Sequence, residues 1–293
     1  MLFTGTGVAI VTPFHNDKTV DFDALQRIVD HCIEGQSDYI VVLGTTGESV
    51  TLTSGEKADV TRCVVNAVAG RIEVVVGVGG NDTAKVVDDI RHTVFDGISG
   101  LLSQTPYYNK PSQAGMIEHF KAVAAVSPVP VILYNVPSRT SVNMTAETTL
   151  TLAHEVENIV GIKEASGILP QIMQIIRDCP NNFSVISGDD AISLPIMAVG
   201  GHGVISVAAN AFPREMTEII NESLASNYPA AQTMQHQMLD LFDALFAEGS
   251  PSGIKAALHI LGLSQNELRL PLVPVSQKTY HRLEEIIQKL KTS

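Results

Sequence analysis

The chain has 293 residues, with 19 Lys and Arg against 31 Asp and Glu, which gives a formal net charge of −12. Hydrophobic residues make up 45% of the sequence and charged residues 17%, a balance that excludes an intrinsically disordered chain. The acidic charge, without any block of Lys or Arg, excludes a surface for nucleic acid or for an anionic membrane. The first residues show no basic signal-peptide region and no apolar stretch approaches the ~18 residues of a membrane helix, so we expect a cytoplasmic protein.

The cysteine and acidic residues do not form a pattern typical of a metal site. Cys32, Cys63 and Cys179 are odd in number and scattered, without C-x-x-C spacing, which predicts neither a disulfide framework nor a zinc site. We expect each to be a small buried or half-buried hydrophobic residue. The pair Asp189-Asp190 is not by itself a magnesium site, so no metal is predicted.

Short β-branched segments alternate with helical segments through the first three quarters of the chain. Strands are predicted at 8–12, 39–43, 73–78, 100–105, 129–135, 159–164, 183–187 and 203–208. Most of them are continuously apolar, as expected for strands buried on both faces of a parallel sheet. Helices are predicted at 21–34, after the capping box Thr53-x-x-Glu56, and at 83–95, 112–126, 145–154, 169–178, 191–199 and 213–224.

Eight strand–helix units in about 220 residues are typical of an α/β protein with a (β/α)8 TIM barrel. A doubly wound open sheet, which normally has fewer strands, is the alternative. After residue 224 the strand pattern ends, and helices are predicted at 230–246, 253–261 and 276–290. We therefore expect a catalytic barrel over residues 1–224 and a C-terminal helical region, 225–293, packed on the barrel.

One lysine lies within an apolar strand. Lys163 follows Ile159-Val160-Gly161-Ile162, whereas the other nine lysines are predicted to be solvated on polar helix faces, in loops or near the C-terminus. Burial of an amine lowers its pKa, and a neutral amine at the carboxyl end of a barrel strand can form an imine with a ketone. The alternative is a lysine that reaches from the end of the strand to solvent.

Polar and aromatic residues follow other strands, at the end where barrels place their active sites. The turn 44–49, Gly-Thr-Thr-Gly-Glu-Ser, could present backbone N–H groups and two hydroxyls to a ligand, although a plain loop fits as well. Tyr107, Tyr108 and Tyr134 lie at strand ends, where each could act chemically or pack the top of the barrel. Arg139 offers the planar donor that a carboxylate substrate needs on a protein of this net charge. His202 is expected to be satisfied by backbone groups.

Five motifs of this chain occur in the same order in one enzyme family. They are Gly44-Thr45-Thr46-Gly47-Glu48, Tyr107-Tyr108-Asn109, Tyr134-Asn135-Val136-Pro137-Ser138-Arg139-Thr140, Gly161-Ile162-Lys163-Glu164 and Gly200-Gly201-His202-Gly203-Val204-Ile205-Ser206. With them, nearly the whole chain resembles the dihydrodipicolinate synthase family of the pyruvate-dependent class I aldolase-like superfamily. The Thr-Gly turn and the strand lysine are common to the superfamily, whereas the segment with Arg139 is more specific to the family.

The resemblance implies a covalent mechanism. Lys163 would form an imine with pyruvate, and Tyr134 would be the general acid and base beside it. Thr45 would link Tyr134 by hydrogen bonds to Tyr108, which in this family comes from the neighbouring subunit. The protonated imine is itself the electron sink, so neither a metal nor an organic cofactor is implied.

The resemblance also implies how two carboxylate substrates bind. The backbone N–H groups of Thr45 and Thr46 would hold pyruvate, Arg139 would hold L-aspartate 4-semialdehyde, and Gly188 and the Ile205 carbonyl would line the pocket. The reaction would belong to diaminopimelate and lysine biosynthesis. A tyrosine supplied across a subunit boundary implies a homo-oligomer, and we expect a tetramer made of two dimers.

The chain departs from the family at the site where many members bind lysine as an inhibitor. It keeps Ser49, Asn81 and Tyr107, but has Ser54 and Lys57 where sensitive members commonly carry histidines, and Lys85 where they carry glutamate. Lys85 presents a like charge to the ammonium of the effector. We therefore expect the enzyme to be insensitive, or nearly so, to lysine.

Two other functions stay open at this point. Another imine-forming aldolase or lyase of the superfamily, acting on a sugar acid, would share most of these motifs, although Arg139 argues against it. A non-catalytic binding protein on a retained barrel is the other alternative, since a fold does not fix a function.

Overall fold

The computed structural model describes residues 3–292, so that Met1, Leu2 and Ser293 lie outside the described residues. Eight parallel strands pair in chain order, and the eighth pairs with the first, which closes a barrel. The strands are β1 (Gly5–Ala9), β2 (Tyr39–Val42), β3 (Glu73–Gly77), β4 (Gly100–Gln104), β5 (Val131–Asn135), β6 (Ile159–Glu164), β7 (Ser184–Ser187) and β8 (Gly203–Ser206). The closed barrel confirms the predicted (β/α)8 fold and excludes the open sheet.

Helices follow the strands and pack around the barrel. They are α1 (Phe22–Glu34), α2 (Ser54–Val68), α3 (Thr83–His92), α4 (Gln113–Val126), α5 (Pro137–Thr140), α6 (Ala146–Glu155), α7 (Leu169–Asp178), α8 (Ser193–Ala198), α9 (Pro213–Leu224), α10 (Tyr228–Phe246), α11 (Ser252–Ile260) and α12 (Gln277–Thr292). The predicted capping box is present, because the Thr53 side chain accepts from the Glu56 N–H while the Glu56 carboxylate accepts from the Thr53 N–H. The single turn α5 was not predicted.

The first strand begins three residues before the predicted start at residue 8, so the prediction for this strand was wrong. Gly5 pairs with Gly203 of β8, and Gly7 pairs with Tyr39 of β2. A side chain at Gly7 would overlap the aromatic ring of Tyr39. The strand therefore contains glycines that this close packing requires but that a search for β-branched residues does not recognise.

The strands separate two apolar cores because successive side chains point to opposite faces. One core lies between the strands and the helices. The other fills the barrel interior and includes Ala9, Val41, Val75, Leu102, Ile132, Ile186 and Ile205. Tyr134 belongs to this interior core and lies near the carboxyl end of β5, which positions its hydroxyl toward the top of the barrel.

Among the C-terminal helices, α10 contacts helices of the barrel directly, and α12 contacts the other C-terminal helices. Helix α10 packs against α8 and α9, and α12 packs against α10 and α11. The division of the chain at residue 224 stays a prediction. Cys32 is buried, and Cys63 and Cys179 are half-buried, as expected. In the described part of the chain, no helix combines the length and the apolar character needed to cross a membrane.

Lys255 contradicts the prediction that every lysine except Lys163 is solvated. Its side chain lies in α11 and is 0% exposed. All residues from 252 to 258 are buried, so this helix has no polar face along which a lysine could reach water. The prediction that Lys255 is solvated requires a polar face on this helix, whereas protein surrounds the helix on all sides.

Candidate active site

Lys163 lies near the carboxyl end of β6 with its side chain in the barrel. It pairs with Tyr134 across the β5–β6 ladder, and its Nζ atom is 4.6 Å from the centre of the Tyr134 ring. Burial lowers the pKa of Lys163 to about 8, the Asp190 carboxylate opposes this shift, and the positive charge of Arg139 adds to it. At neutral pH a useful fraction of the amine is therefore neutral and nucleophilic.

Tyr134 is held as a protonated phenol beside the lysine. Burial raises its pKa, whereas the positive charge of Arg139 and a hydrogen bond with the Thr45 side chain lower it. A phenol that is protonated but flanked by groups that stabilise its anion can both donate and recover a proton. Four of the predicted site residues therefore interact through charge or hydrogen bonds: Lys163, Tyr134, Thr45 and Arg139.

Gly188 leaves the space that the lysine side chain occupies. A Cβ atom at this position would lie 2.7 Å from the Cβ of Ala165 and 3.1 Å from the Cε of Lys163. The Gly188 N–H donates to the Glu164 carbonyl at 2.8 Å, so the residue after β7 is fixed to the end of β6. Ile205, on β8, is buried in the same interior core as Tyr134.

The turn after β2 is a short 3₁₀ segment over Thr45–Gly47, with Thr45 exposed and Thr46 buried. Its own hydrogen bonds run from the Gly47 N–H to the Gly44 carbonyl and from the Glu48 N–H to the Thr45 carbonyl, each at 3.1 Å. The first N–H groups of a helical turn have no partner within the turn, and those of Thr45 and Thr46 are such groups. They are therefore suited to bind an anion.

Leu43, directly before this turn, has a φ of 59°. A left-handed conformation at a branched side chain is unfavourable, and such strain is concentrated at functional sites. No motif in the sequence indicates this conformation of Leu43.

Two buried carboxylates near Lys163 were not predicted as part of the site. Asp190 accepts hydrogen bonds from the Val207 and Ala208 N–H groups at 3.1 and 2.9 Å. Glu164, next to Lys163 but on the outer face of β6, accepts from the Asn135 amide at 3.1 Å. A Gly-Asp-Asp sequence that directly follows a buried strand is the signal that could have indicated Asp190.

Arg139 lies on the exposed turn α5 at the mouth of the barrel. Its Nη2 atom donates to the Ser250 carbonyl at 3.3 Å, so the segment before α11 borders the site. His202 is satisfied by backbone, as predicted, because its Nδ1 atom accepts from the Val185 N–H at 3.0 Å.

Tyr108 is not brought to Lys163 within the chain. It is 87% exposed and has a φ of 70°. The neighbouring Asn109 fixes this loop by donating to the Asn81 carbonyl at 2.8 Å.

The predicted effector residues lie on the surface near that loop. Ser49 and Tyr107 are half-buried. Lys85, on α3, pairs with Asp89 on the same helix, with 3.0 Å between Nζ and Oδ1. Within residues 3–292, no group of three or more His, Cys, Asp or Glu side chains is arranged to hold a metal ion.

A closed (β/α)8 barrel with a buried lysine of lowered pKa beside a buried tyrosine is the arrangement of an imine-forming enzyme of the class I aldolase-like superfamily. The chain belongs to the dihydrodipicolinate synthetase family, whose model matches residues 2–290. It is therefore a lyase and not a non-catalytic barrel. The chemistry of this family runs through a covalent imine between a lysine and pyruvate and uses no external cofactor.

Individual relatives agree with this assignment over nearly the full length. The 4-hydroxy-tetrahydrodipicolinate synthase of Parabacteroides distasonis is 49% identical over 286 residues, which cover 98% of this chain and 96% of the relative. The crystal structure of dihydrodipicolinate synthase from Aquifex aeolicus has a TM-score of 0.95 at 42% identity and covers 99% of this chain and 98% of its own. The crystal structure of DHDPS from Cyanidioschyzon merolae with lysine bound has a TM-score of 0.96 at 39% identity and covers 100% and 99%.

Proposed function

We propose that this protein is a 4-hydroxy-tetrahydrodipicolinate synthase, which condenses pyruvate with L-aspartate 4-semialdehyde in diaminopimelate and lysine biosynthesis in the cytoplasm. The observation that carries the proposal is the contact of Lys163 with Tyr134, 4.6 Å from Nζ to the ring centre, with Arg139 at the mouth of the barrel. Family membership supports it.

In the first step, the neutral amine of Lys163 attacks the ketone carbon of pyruvate. Tyr134 gives a proton to the ketone oxygen and takes one from the nitrogen, which forms a carbinolamine. A second proton from Tyr134 to the hydroxyl group of that intermediate then releases water and leaves the protonated imine. The N–H groups of Thr45 and Thr46 bind the pyruvate carboxylate. Gly188 and the Ile205 carbonyl line the pocket around the bound three-carbon unit.

In the second step, the imine loses a proton from its methyl carbon and becomes an enamine. That carbon attacks the aldehyde of L-aspartate 4-semialdehyde, whose carboxylate is bound by Arg139. The aldehyde oxygen receives a proton through Tyr134. The amine of the second substrate then attacks the imine carbon, which closes the ring and releases Lys163 without any redox change.

Proton exchange with solvent would use a relay from Tyr134 through Thr45 to Tyr108 of a partner subunit. The exposure of Tyr108 in the single chain, 87%, supports this, because an exposed aromatic side chain on a strained loop is suited to enter a neighbouring copy. Oligomers are typical of the family. We propose a tetramer made of two such dimers.

We also propose that lysine inhibits this enzyme weakly or not at all. Lys85 places a positive charge where sensitive family members commonly carry a glutamate. Its pairing with Asp89 reduces that charge without supplying a free acceptor for the ammonium group of an effector.

The experiment that tests the function is a coupled assay with pyruvate, L-aspartate 4-semialdehyde and the reductase that consumes the product. The same protein is then given pyruvate with a panel of sugar-derived aldehydes. The proposal predicts efficient turnover with the semialdehyde only. Preference for a sugar-derived aldehyde would instead assign the protein to a sugar-acid branch of the superfamily.

A further inference from the structure

The second buried lysine forms an ion pair with the residue that ends the Thr-Gly turn. Lys255 of α11 donates to the Glu48 carboxylate, and both side chains are 0% exposed. The Lys255 Nζ atom also donates to the Glu267 carbonyl at 2.9 Å and lies 4.1 Å from the centre of the Phe14 ring. Burial lowers the pKa of Lys255 to about 8, while Glu48 opposes the shift, so the ammonium form persists at neutral pH.

Glu48 is bonded directly to the turn that presents the Thr45 and Thr46 N–H groups. Its N–H donates to the Thr45 carbonyl at 3.1 Å, and its φ is 51°, in the left-handed region. On the other side of the turn, the Thr12 hydroxyl donates to the Gly47 carbonyl at 2.7 Å. The turn is thus held from the barrel by Thr12 and from the C-terminal region by Lys255.

Arg269, in the segment after α11, holds the same carboxylate and the residues that follow it. Its N–H donates to Glu48 Oε2 at 3.1 Å, and its Nη1 atom donates to the Thr51 carbonyl at 2.9 Å. It also pairs with Glu56 at the start of α2. Two elements of the C-terminal region therefore fix both oxygens of one side chain, and that side chain fixes the turn.

We propose that Glu48, Lys255 and Arg269 are positioning residues for the pyruvate carboxylate, through which the C-terminal helical region sets the orientation of the Thr45 and Thr46 N–H groups. The inference rests on the proposed function, since it assumes that these N–H groups bind pyruvate. Backbone donors stabilise an anion only when they are already oriented toward it. A buried ion pair is a weak source of stability, because desolvation offsets most of the attraction. It does fix the positions of its two charged side chains relative to each other.

The test compares Lys255→Met with Leu258→Ala, a variant that removes a buried side chain from the same helix without touching Glu48. Steady-state kinetics and pyruvate-dependent borohydride trapping are measured on folded protein. Lys255→Met is expected to raise the pyruvate KM by ~10-fold or more, with the semialdehyde KM changed by less than ~2-fold because Arg139 is not attached to the turn. Leu258→Ala is expected to lower the melting temperature while the pyruvate KM stays within ~2-fold of wild type.

A double variant, Glu48→Gln with Lys255→Met, removes both charges together and avoids an unpaired buried carboxylate, so it decides the question if Lys255→Met does not fold. It is expected to show the same selective rise in pyruvate KM. A wild-type pyruvate KM in the folded double variant, or an equal rise in Leu258→Ala, would overturn the proposal. Failure of the proposed function would be distinct, because the wild-type protein itself would then not turn over the semialdehyde.

Discussion

Burial and two nearby charged groups set the fraction of the Lys163 amine that is neutral. Asp190 raises the pKa of the lysine and Arg139 lowers it, but burial is the largest effect and brings the value to about 8. We propose that Arg139 acts on the chemistry in two ways. It offers a donor to the second carboxylate, and it favours the neutral form of the nucleophile.

The rate of imine formation is therefore expected to depend on pH through Lys163. The neutral amine is the nucleophile, so at subsaturating pyruvate the rate rises with pH through about 8 and is constant above it. Arg139→Ala removes a nearby positive charge, which favours the ammonium form and moves this profile to higher pH. Arg139→Lys keeps the charge and should keep the profile of the wild type.

The measurement is the rate of borohydride-trapped imine as a function of pH in the three proteins. If Arg139→Ala left the profile in place or moved it to lower pH, Arg139 would not act on Lys163 through its charge.

A second prediction concerns the charge of Lys85. Lys85 carries an ammonium group where sensitive family members carry a carboxylate. A bound effector would therefore lose an ion pair and meet a like charge, so sub-millimolar lysine is expected to leave the turnover rate unchanged. Lys85→Glu is expected to increase the sensitivity to lysine by ~10-fold or more. Lys121→Glu is the matched control, because Lys121 is also a helical lysine paired with an acid, Glu155, on a different surface.

Lysine titrations of the three proteins under the coupled assay decide this point. Strong inhibition of the wild-type enzyme at sub-millimolar lysine would refute the expectation.

At the scale of the elements, the carboxyl ends of β5, β6 and β7 are held close together to form the site. Gly188 after β7 donates its N–H to Glu164 of β6, and its missing side chain makes room for Lys163. Gly188→Ala would place a methyl group 3.1 Å from the Lys163 Cε atom and 2.7 Å from the Ala165 Cβ atom. Because the contact with Ala165 is closer than packed atoms approach, the chain around residue 188 must move, and Lys163 must give by a few tenths of an ångström.

We therefore expect Gly188→Ala to lower kcat/KM for pyruvate by ~10-fold or more. Gly55→Ala is the control, since a Cβ at Gly55, in α2, meets nothing within 4 Å. The coupled assay with varied pyruvate measures both variants. Wild-type kinetics in Gly188→Ala would mean that the lysine has more freedom than its packing indicates.

The elements that could be predicted from the sequence are those whose pattern is local. Strand β6 was predicted at its full length because Ile159 to Ile162 are continuously apolar, and Lys163 was recognised because a charge interrupts that pattern. Strand β1 was misplaced because it contains Gly7, where the ring of Tyr39 from the neighbouring strand leaves no room for a side chain. Lys255 was missed because its burial depends on Glu48, 207 positions away in the chain, which no local pattern shows.

For the whole molecule, the net charge of −12 works against two substrates that both carry carboxylates. We propose that binding comes from a few placed groups: Arg139 and the N–H groups of Thr45 and Thr46. The chain after residue 224 borders both of these sites, through Ser250 at Arg139 and through Lys255 at Glu48. The C-terminal region thus contributes to the geometry of the site as well as to packing.

The proposed contribution of Tyr108 across a subunit boundary predicts complementation between two impaired chains. Tyr108→Phe alone should lower turnover by ~10-fold or more, and Lys163→Ala should have no activity. When equal amounts are refolded together, half of the dimers are expected to be mixed, and each mixed dimer has one intact site, so activity should return to about a quarter of wild type.

The control mixture is Lys163→Ala with Tyr134→Phe, because both residues come from the same chain and no mixed dimer contains an intact site. Activity of the first mixture that equals the mean of its two components would contradict a contribution of Tyr108 in trans.

We propose that Lys163 is the residue that forms the imine with pyruvate. The most direct measurement is reduction of the protein with borohydride in the presence of pyruvate, followed by intact-mass analysis and peptide mapping. We expect one carboxyethyl group per chain, attached to Lys163, and none without pyruvate. A mass gain on any other residue, Lys255 included, or no mass gain at all, would contradict it.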